Sequence, residues 1–173
     1  MVLKKKNITI TIPIIDSKIE VLAYDVNNLN DKLIRLDMTR KMAGKSLEAV
    51  FKVKVNNNEA VAIPIKLVLF QFYLRRLIRK STSYIEDSFL VDTQNKKLRV
   101  KIFLITRKMV PRSIRAKIRK TCQENIKEFC KTKDYEEFFS SILSNSIQRE
   151  LAGKLKKIYP LAVCEIKEAR VEK

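Results

Sequence analysis

Basic side chains are concentrated in one part of this sequence. The segment TRKMVPRSIRAKIRK, residues 106–120, contains seven lysines and arginines and no acid. Residues 66–133 hold 19 basic and 5 acidic side chains, against 11 and 7 in residues 1–65 and 7 and 7 in residues 134–173. A surface that only keeps a protein soluble mixes both signs evenly, so this concentration predicts a binding patch.

The chemistry that such a patch supports is the neutralisation of phosphates. Between residues 75 and 120, fifteen lysines and arginines face only Glu86, Asp87 and Asp92. Contacts of this kind are favourable through counterion release, without any reading of bases. With a net charge of +18, nucleic acid is the first candidate partner, an anionic membrane the second and acidic proteins the third.

The aromatic content decides which kind of nucleic acid fits. Phe103 is the one aromatic residue on the second basic strand, so a stacking platform for single-stranded bases is poorly supported. Structured RNA, recognised through its shape and backbone, fits better. Arginine suits this role because its planar guanidinium makes bidentate phosphate contacts.

Signatures of catalysis are mostly absent. The chain has no histidine, which excludes histidine zinc sites, Ser-His-Asp triads and histidine bases together. With only Gly44 and Gly153, it cannot form a glycine-rich phosphate loop. Glu86, Asp87 and Asp92 could hold Mg²⁺ in a nuclease, but the strand pattern predicts that they mark a solvent side and a turn. We therefore predict no enzyme, no cofactor, no metal and no small-molecule substrate.

The pattern of cysteines and the length of the apolar runs predict the cellular compartment. Cys122, Cys130 and Cys164 are an odd, unpaired set, which predicts core residues rather than a secreted disulfide framework. NITITI (7–12) alternates as a strand does, unlike a signal peptide. The apolar run AVAIPIKLVLFQFYL is interrupted by polar residues and too short to cross a bilayer. The expected location is the cytosol.

Hydrophobic periodicity predicts an α+β fold. Strands are predicted by period-two alternation and turn residues, at 7–14, 18–24, 33–38, 46–55, 59–65, 83–93, 96–107 and 161–172. A turn is predicted at VNNN (55–58). Apolar spacings of three and four predict helices at 66–80, 112–131, 134–144 and 146–158. The chain is predicted to be a single domain, 1–173, with a mainly antiparallel, barrel-like sheet and about four helices.

Three regions are expected within that domain. Residues 1–65 are mostly strands, residues 66–133 form a basic helix-hairpin-helix region, and residues 134–173 hold helices and a terminal strand. The helix at 112–131 has an apolar stripe through Ile114, Ile118 and Cys122 and lysines on its opposite face. Arg115 and Arg119 lie beside the stripe, where we expect the helix to leave its core and meet RNA. The narrow stripe suits packing on the domain's own sheet better than a lipid surface.

The order of these segments resembles a known family. YLRRLIRKSTSYIEDSFLVDTQNKKLRVKIFLITRK, then IRAKIRK, then KKIYPLAVCEIKEARV is similar to the archaeal and eukaryotic small-subunit ribosomal protein of the S-one-e family, also called S-three-a. LIRLDMTRKMAGKS resembles a divergent form of the family's L.DLTGD segment. The resemblance covers residues 33–171. The family's longer basic N-terminal tail is reduced here to LKKK (3–6).

The resemblance implies a function and a set of contacts. The family member binds rRNA of the 3′ region on the small-subunit platform near the messenger exit, beside the platform protein S-eleven. The alternatives are a free-standing RNA-binding or RNA-processing factor and, third, a membrane-surface protein. The matching basic positions, to which we add Arg112, are Arg75, Arg76, Arg79, Lys80, Arg99, Lys101, Arg107, Lys108, Arg115, Lys117, Arg119 and Lys120.

Overall fold

The computed structural model describes residues 5–42, 44–56 and 59–172. Within the basic run LKKK, Leu3 and Lys4 lie outside these residues, as do Asn57 and Asn58 of the predicted turn. The described strands are β1 (Lys6–Ile12), β2 (Ser17–Ala23), β3 (Leu33–Asp37), β4 (Leu47–Asn56), β5 (Glu59–Leu69), β6 (Tyr84–Asp92), β7 (Lys97–Thr106) and β8 (Leu161–Val171). The described α-helices are α1 (Gln71–Leu77), α2 (Arg112–Lys131), α3 (Tyr135–Leu143) and α4 (Ser146–Lys156).

The α+β prediction is confirmed, with a difference in the sheet. The described strands form a mixed sheet that is not closed, rather than a complete barrel. β1 runs parallel to β5, whereas β6 and β8 are both antiparallel to β7. The chain divides into two compact units, residues 1–36 with 49–66 and residues 37–48 with 67–173. The single domain stays a prediction.

The first unit contains the β1–β2 hairpin. Its register runs from Lys6 opposite Ala23 to Ile12 opposite Ser17. Ile10 and Ile12 are fully buried while the threonines between and before them are exposed, as period-two alternation requires. The described part of this unit therefore has one apolar and one polar face along β1.

The second unit is organised around β7. Its alternate residues Leu98, Val100, Ile102 and Leu104 are buried on one face, where α2 packs against β6. α4 packs against β8 and contacts both α2 and α3. The predicted apolar stripe of α2 is confirmed, since Ile118, Cys122 and Ile126 are fully buried.

The prediction that the cysteines are core residues is confirmed for two of the three. Cys122 and Cys130 are fully buried, and burial raises the pKa of both thiols to about 12, as expected for core cysteines. Cys164, on β8, is only partly buried, although desolvation raises the pKa of its thiol as well. All three are free thiols.

The predicted helix at 66–80 is wrong over its first five residues and its last three. β5 continues to Leu69, and α1 is only the seven residues Gln71–Leu77. Leu67 and Leu69 are each 2% exposed and alternate with the half-buried Val68, so they share one face of a strand. The spacing of three between Leu67 and Phe70 is compatible with a helix, but the alternation of Leu67 and Leu69 is equally compatible with the strand that forms.

Candidate nucleic-acid interface

Ser83 and Thr106 form a buried polar junction between β6 and β7 in the second unit. The Ser83 amide donates to the Thr106 hydroxyl (3.1 Å), and the Thr106 amide donates to the Ser83 carbonyl (3.0 Å). The single hydroxyl proton of Thr106 has two acceptors in reach, the carbonyls of Lys108 (2.7 Å) and Ser83 (3.1 Å). The Val110 amide donates to the Ser83 hydroxyl (3.2 Å). The junction therefore fixes the chain on both sides of residues 107–109.

This junction places the start of α2 beside the start of β6. Pro111 stands at the N-cap, where its extended ψ of 161° leads into the helix at Arg112. Among the residues that the structure describes, no side chain caps this end, and the first turn of α2 contains no acid. The first amide groups of α2 are therefore free to interact with a negative group, which the helix dipole also favours.

The first basic pocket, which we name the Tyr84 pocket, lies where these elements meet. Its volume is about 310 Å³, and it is lined by Tyr84, Arg112, Arg115, Ala116 and Arg119. The three arginines share one helix face because they stand at i, i+3 and i+7. Among the described residues, no acid lies within ion-pair distance of any of the three. The Nε of Arg115 is buried and donates to no acceptor of the described chain.

The second basic pocket, the Arg79 pocket, has a volume of about 430 Å³. The Arg79 carbonyl accepts a hydrogen bond from the Thr82 hydroxyl (2.8 Å), which fixes the loop after α1. The Arg107 amide donates to the Pro160 carbonyl (3.3 Å), which holds that residue near the start of β8. The lining residues are Arg76, Leu77, Arg79, Ser81, Thr82, Ile105, Arg107, Ala162 and Val163.

The two pockets adjoin each other. Tyr84 lines the first, Ile105 lines the second, and these residues are directly opposite in the β6–β7 pair. Opposite residues of an antiparallel pair have Cβ atoms roughly 5 Å apart. Six arginines therefore surround one end of the β6–β7 hairpin, a density of positive charge that suits several successive phosphates of a nucleic acid backbone.

Comparison with known proteins agrees with the resemblance seen in the sequence. A model of the ribosomal S3Ae family matches residues 4–173. The chain belongs to the ribosomal S3Ae family. Membership of a family of ribosomal proteins confirms the resemblance and agrees with the prediction that the chain is not an enzyme.

The individual relatives are archaeal proteins named small ribosomal subunit protein eS1. That of Methanothermobacter thermautotrophicus is 33% identical over 100 residues, which cover 57% of this chain and 51% of the relative. That of Halorubrum lacusprofundi is 28% identical over 138 residues, covering 79% and 64%. That of Saccharolobus islandicus is 27% identical over 156 residues, covering 87% and 75%. The matched part is thus about half of the first relative and just under two thirds of the second.

In this S3Ae chain, two of the predicted contact residues already form ion pairs with acids of the protein. Arg99 forms an ion pair with Glu172 and Lys101 with Glu168, each at 2.6 Å. The Glu168 side chain is only 11% exposed. Hydrogen bonds from Arg99, and to a smaller extent from Arg170, hold the pKa of Glu172 below its ordinary value. Arg99 and Lys101 line neither arginine pocket, and their partners lie on β8 (Glu168) and directly after it (Glu172).

Five other predicted residues lie outside the two pockets. Arg75, Lys80, Lys108, Lys117 and Lys120 are exposed and line neither pocket. The structure brings together the six arginines at positions 76, 79, 107, 112, 115 and 119.

Sequence reasoning missed Tyr84 as a site residue. It weighed Phe103, which is fully buried and unable to meet a ligand. Tyr84 is 55% exposed, and it shares its strand face with the exposed Glu86 and Ser88. This alternation was the available signal, but nothing in the sequence placed Tyr84 beside the arginines of α2.

Two of the three acids considered as magnesium ligands contact other groups of the protein. Glu86 pairs with Lys167 at 3.2 Å, and Asp87 accepts a hydrogen bond from the Ser88 amide at 2.9 Å. Within residues 5–42, 44–56 and 59–172, no group of three or more potential ligands could hold a metal ion. In the same ranges, no helix is both long and apolar enough to cross a membrane.

Proposed function

We propose that this chain is a non-catalytic structural constituent of the small ribosomal subunit that binds rRNA by neutralising its phosphates. The relatives that it matches are named small ribosomal subunit protein eS1. In this proposal the protein resides in the cytoplasm, inside the small subunit. Its RNA contacts are concentrated at the Tyr84 and Arg79 pockets.

The observation that carries the proposal is the contrast between two sets of cations. The arginines of the two pockets have no acidic partner among the described residues, while Arg99 and Lys101 are paired to β8. A protein that needed arginine only for its own stability would pair these side chains as it pairs Arg99. Unpaired guanidinium groups around a concave surface favour a partner that brings its own negative charge.

The finer assignment rests on the resemblance. It comprises rRNA of the 3′ region, the platform near the messenger exit, and neighbouring platform proteins such as S-eleven. Residues 134–173 carry no net charge. A surface without excess charge suits protein neighbours better than phosphate, so we assign the protein contacts to this region and the RNA contacts to the basic one.

Sucrose-gradient sedimentation of a native lysate tests the proposal. We expect stoichiometric co-migration with small subunits that persists in a high-salt wash. A variant with glutamine at Arg79, Arg107, Arg112 and Arg119 should shift toward the top of the gradient. The matched control makes the same change to glutamine at four exposed lysines outside the pockets, Lys54, Lys127, Lys131 and Lys156.

Two results would contradict the proposal. Recovery of the unaltered protein mainly at the top of the gradient would exclude a structural subunit and favour the free-standing RNA-binding or RNA-processing factor. An equal shift in the arginine variant and the lysine control would mean that the pockets are not the contact surface. Flotation with anionic vesicles separates the membrane alternative, for which the protein must float.

A further inference from the structure

Tyr84 has the properties of a stacking platform. Its ring is 55% exposed, and it makes no ring contact or side-chain hydrogen bond with the described residues. Its backbone is rigid, because Ser83 belongs to the buried junction and Tyr84 itself is paired with Ile105. Bases stack on exposed aromatic rings that a strand holds in place, and this contact is available to every base.

The same pocket is also lined by three arginines of α2. Arg112, Arg115 and Arg119 lie on one face of α2, and their side chains make no hydrogen bond or ion pair with the described residues. The uncapped start of α2 adds free amide groups and the positive end of the helix dipole. An anion bound here would meet guanidinium donors in the fork geometry that suits phosphate oxygens.

The size of the pocket limits what can occupy it. A volume of about 310 Å³ is near the lower end of the range of roughly 300–1,000 Å³ for small-molecule sites. It suits one nucleotide rather than a length of duplex, whose bases are covered by their neighbours. The ring and the arginines thus face a space in which one base and its phosphate can be held together.

We propose that the Tyr84 pocket binds a single unpaired nucleotide of RNA, with its base stacked on Tyr84 and its phosphate held by the arginines of α2. This inference rests on the proposed rRNA-binding function and narrows it. It assigns to the pocket a bulged or looped-out nucleotide, while the other basic residues contact the backbone of structured RNA. This proposal departs from the expectation from sequence that a stacking platform is poorly supported.

The chain's lack of tryptophan provides a direct test. A Tyr84→Trp variant contains one tryptophan, whose fluorescence a stacked base quenches. We expect saturable quenching by a short single-stranded oligouridine and little by a blunt RNA duplex. Arg112→Gln and Arg119→Gln should weaken this quenching. Lys127→Gln should not, because Lys127 lies about two turns beyond Arg119 on α2 and does not line the pocket.

Variants without tryptophan check affinity independently. In filter binding with oligouridine, Tyr84→Phe should bind as the unaltered protein does, because its ring can still stack. Tyr84→Ala should bind about tenfold more weakly, the usual effect of removing one stacked ring. Circular dichroism should show that each variant is folded, which we expect because Tyr84 is largely exposed.

The remaining outcomes separate this inference from the proposed function. If rRNA still binds but the introduced tryptophan is not quenched and Tyr84→Ala binds equally well, the nucleotide site is wrong and the rRNA-binding function stands. If inorganic phosphate or vesicles containing anionic lipid quench that tryptophan as strongly as oligouridine does, the pocket is a general anion site and the inference is overturned. If neither rRNA nor oligouridine binds the unaltered protein, both proposals fall.

Discussion

Tyr84 and Ile105 stand directly opposite each other in the β6–β7 pair, and each lines one of two adjoining arginine pockets. The next residues along the two strands, Ser83 and Thr106, form the buried junction of hydrogen bonds. The side chains that could meet RNA are therefore only one residue away from the polar core of the second unit. Stability and binding should respond together to changes in this junction.

Replacing Thr106 with valine tests that coupling. The change keeps the shape of the side chain but leaves the Ser83 amide without its acceptor at a fully buried position. We expect the free energy of unfolding in urea to fall by about 2 kcal/mol, with weaker RNA binding. The matched control is Thr132→Val, whose exposed hydroxyl donates to the Phe129 carbonyl. A control as destabilising as Thr106→Val would contradict the assigned role of the junction.

The contrast between paired and unpaired cations predicts different salt dependences. Glutamine at Arg79, Arg107, Arg112 and Arg119 should reduce the slope of log affinity against log salt by roughly 0.7–0.9 for each phosphate that the protein no longer neutralises. Changing Arg99 and Lys101 together should leave the slope nearly unaltered, because their charge is engaged by β8. The measurement is a salt titration with rRNA. Equal slopes in both variants would mean that the pockets make no phosphate contacts.

A second set to neutralise is Arg115, Lys117, Arg119 and Lys120, four of the residues on α2 that the sequence predicts as contacts. Its neutralisation should flatten the salt dependence less than the pocket set does, because Lys117 and Lys120 line neither pocket. The same titration ranks the two sets. The reverse order would indicate that the exposed lysine side of α2 is the main contact surface.

Much of the fold followed from periodicity. The burial of Ile10 and Ile12 on β1 and of Ile118 and Cys122 on α2 repeats the patterns of period two and 3.6 in the sequence. The failure at 66–80 has a physical reason. A short apolar run can satisfy both the period of two of a strand and the period of 3.6 of a helix. Here pairing with another part of the chain favours the strand, and the Phe70 amide at its end donates to the Ser46 carbonyl (3.0 Å).

The site was less accessible to sequence reasoning, because it depends on pairing across the chain. The sequence predicted a basic patch but could not predict that β8 would bring Glu168 and Glu172 onto Lys101 and Arg99. It also could not predict that Tyr84 would lie beside α2. Both facts depend on strand register and on the turn after Thr106, which have no local signature.

Replacing Lys45, which lines neither arginine pocket, should lower the free energy of unfolding substantially. Its Nζ lies 2.6 Å from Glu165 and 2.7 Å from the Asn145 amide oxygen, and the Glu165 side chain is only 12% exposed. Lys45→Met should cost about 3 kcal/mol, since it leaves a buried carboxylate unpaired. The control is Lys52→Met, because its pair with Asp31 is exposed and should cost less than about 1 kcal/mol. Equal costs in urea unfolding would contradict this difference.

Glu165 and Glu172 should give pH dependences of opposite sign. Burial raises the pKa of Glu165 above its usual 4.5. The folded state then holds this proton more tightly, so the stabilisation is complete below pH 4.5 and is lost as pH rises through the folded pKa. Arg99 and Arg170 lower the pKa of Glu172. That stabilisation is complete above pH 4.5 and is lost as pH falls through the folded pKa.

Two glutamine variants separate these effects. Relative to Glu165→Gln, the unaltered protein should lose stability as pH rises through the folded pKa of Glu165. Relative to Glu172→Gln, it should gain stability as pH rises toward 4.5. Urea unfolding across this range gives both differences, and added salt should reduce the Glu172 effect more, because Glu172 is the more exposed of the two. If both differences change in the same direction, burial does not govern Glu165, and the Lys45 pair dominates its titration instead.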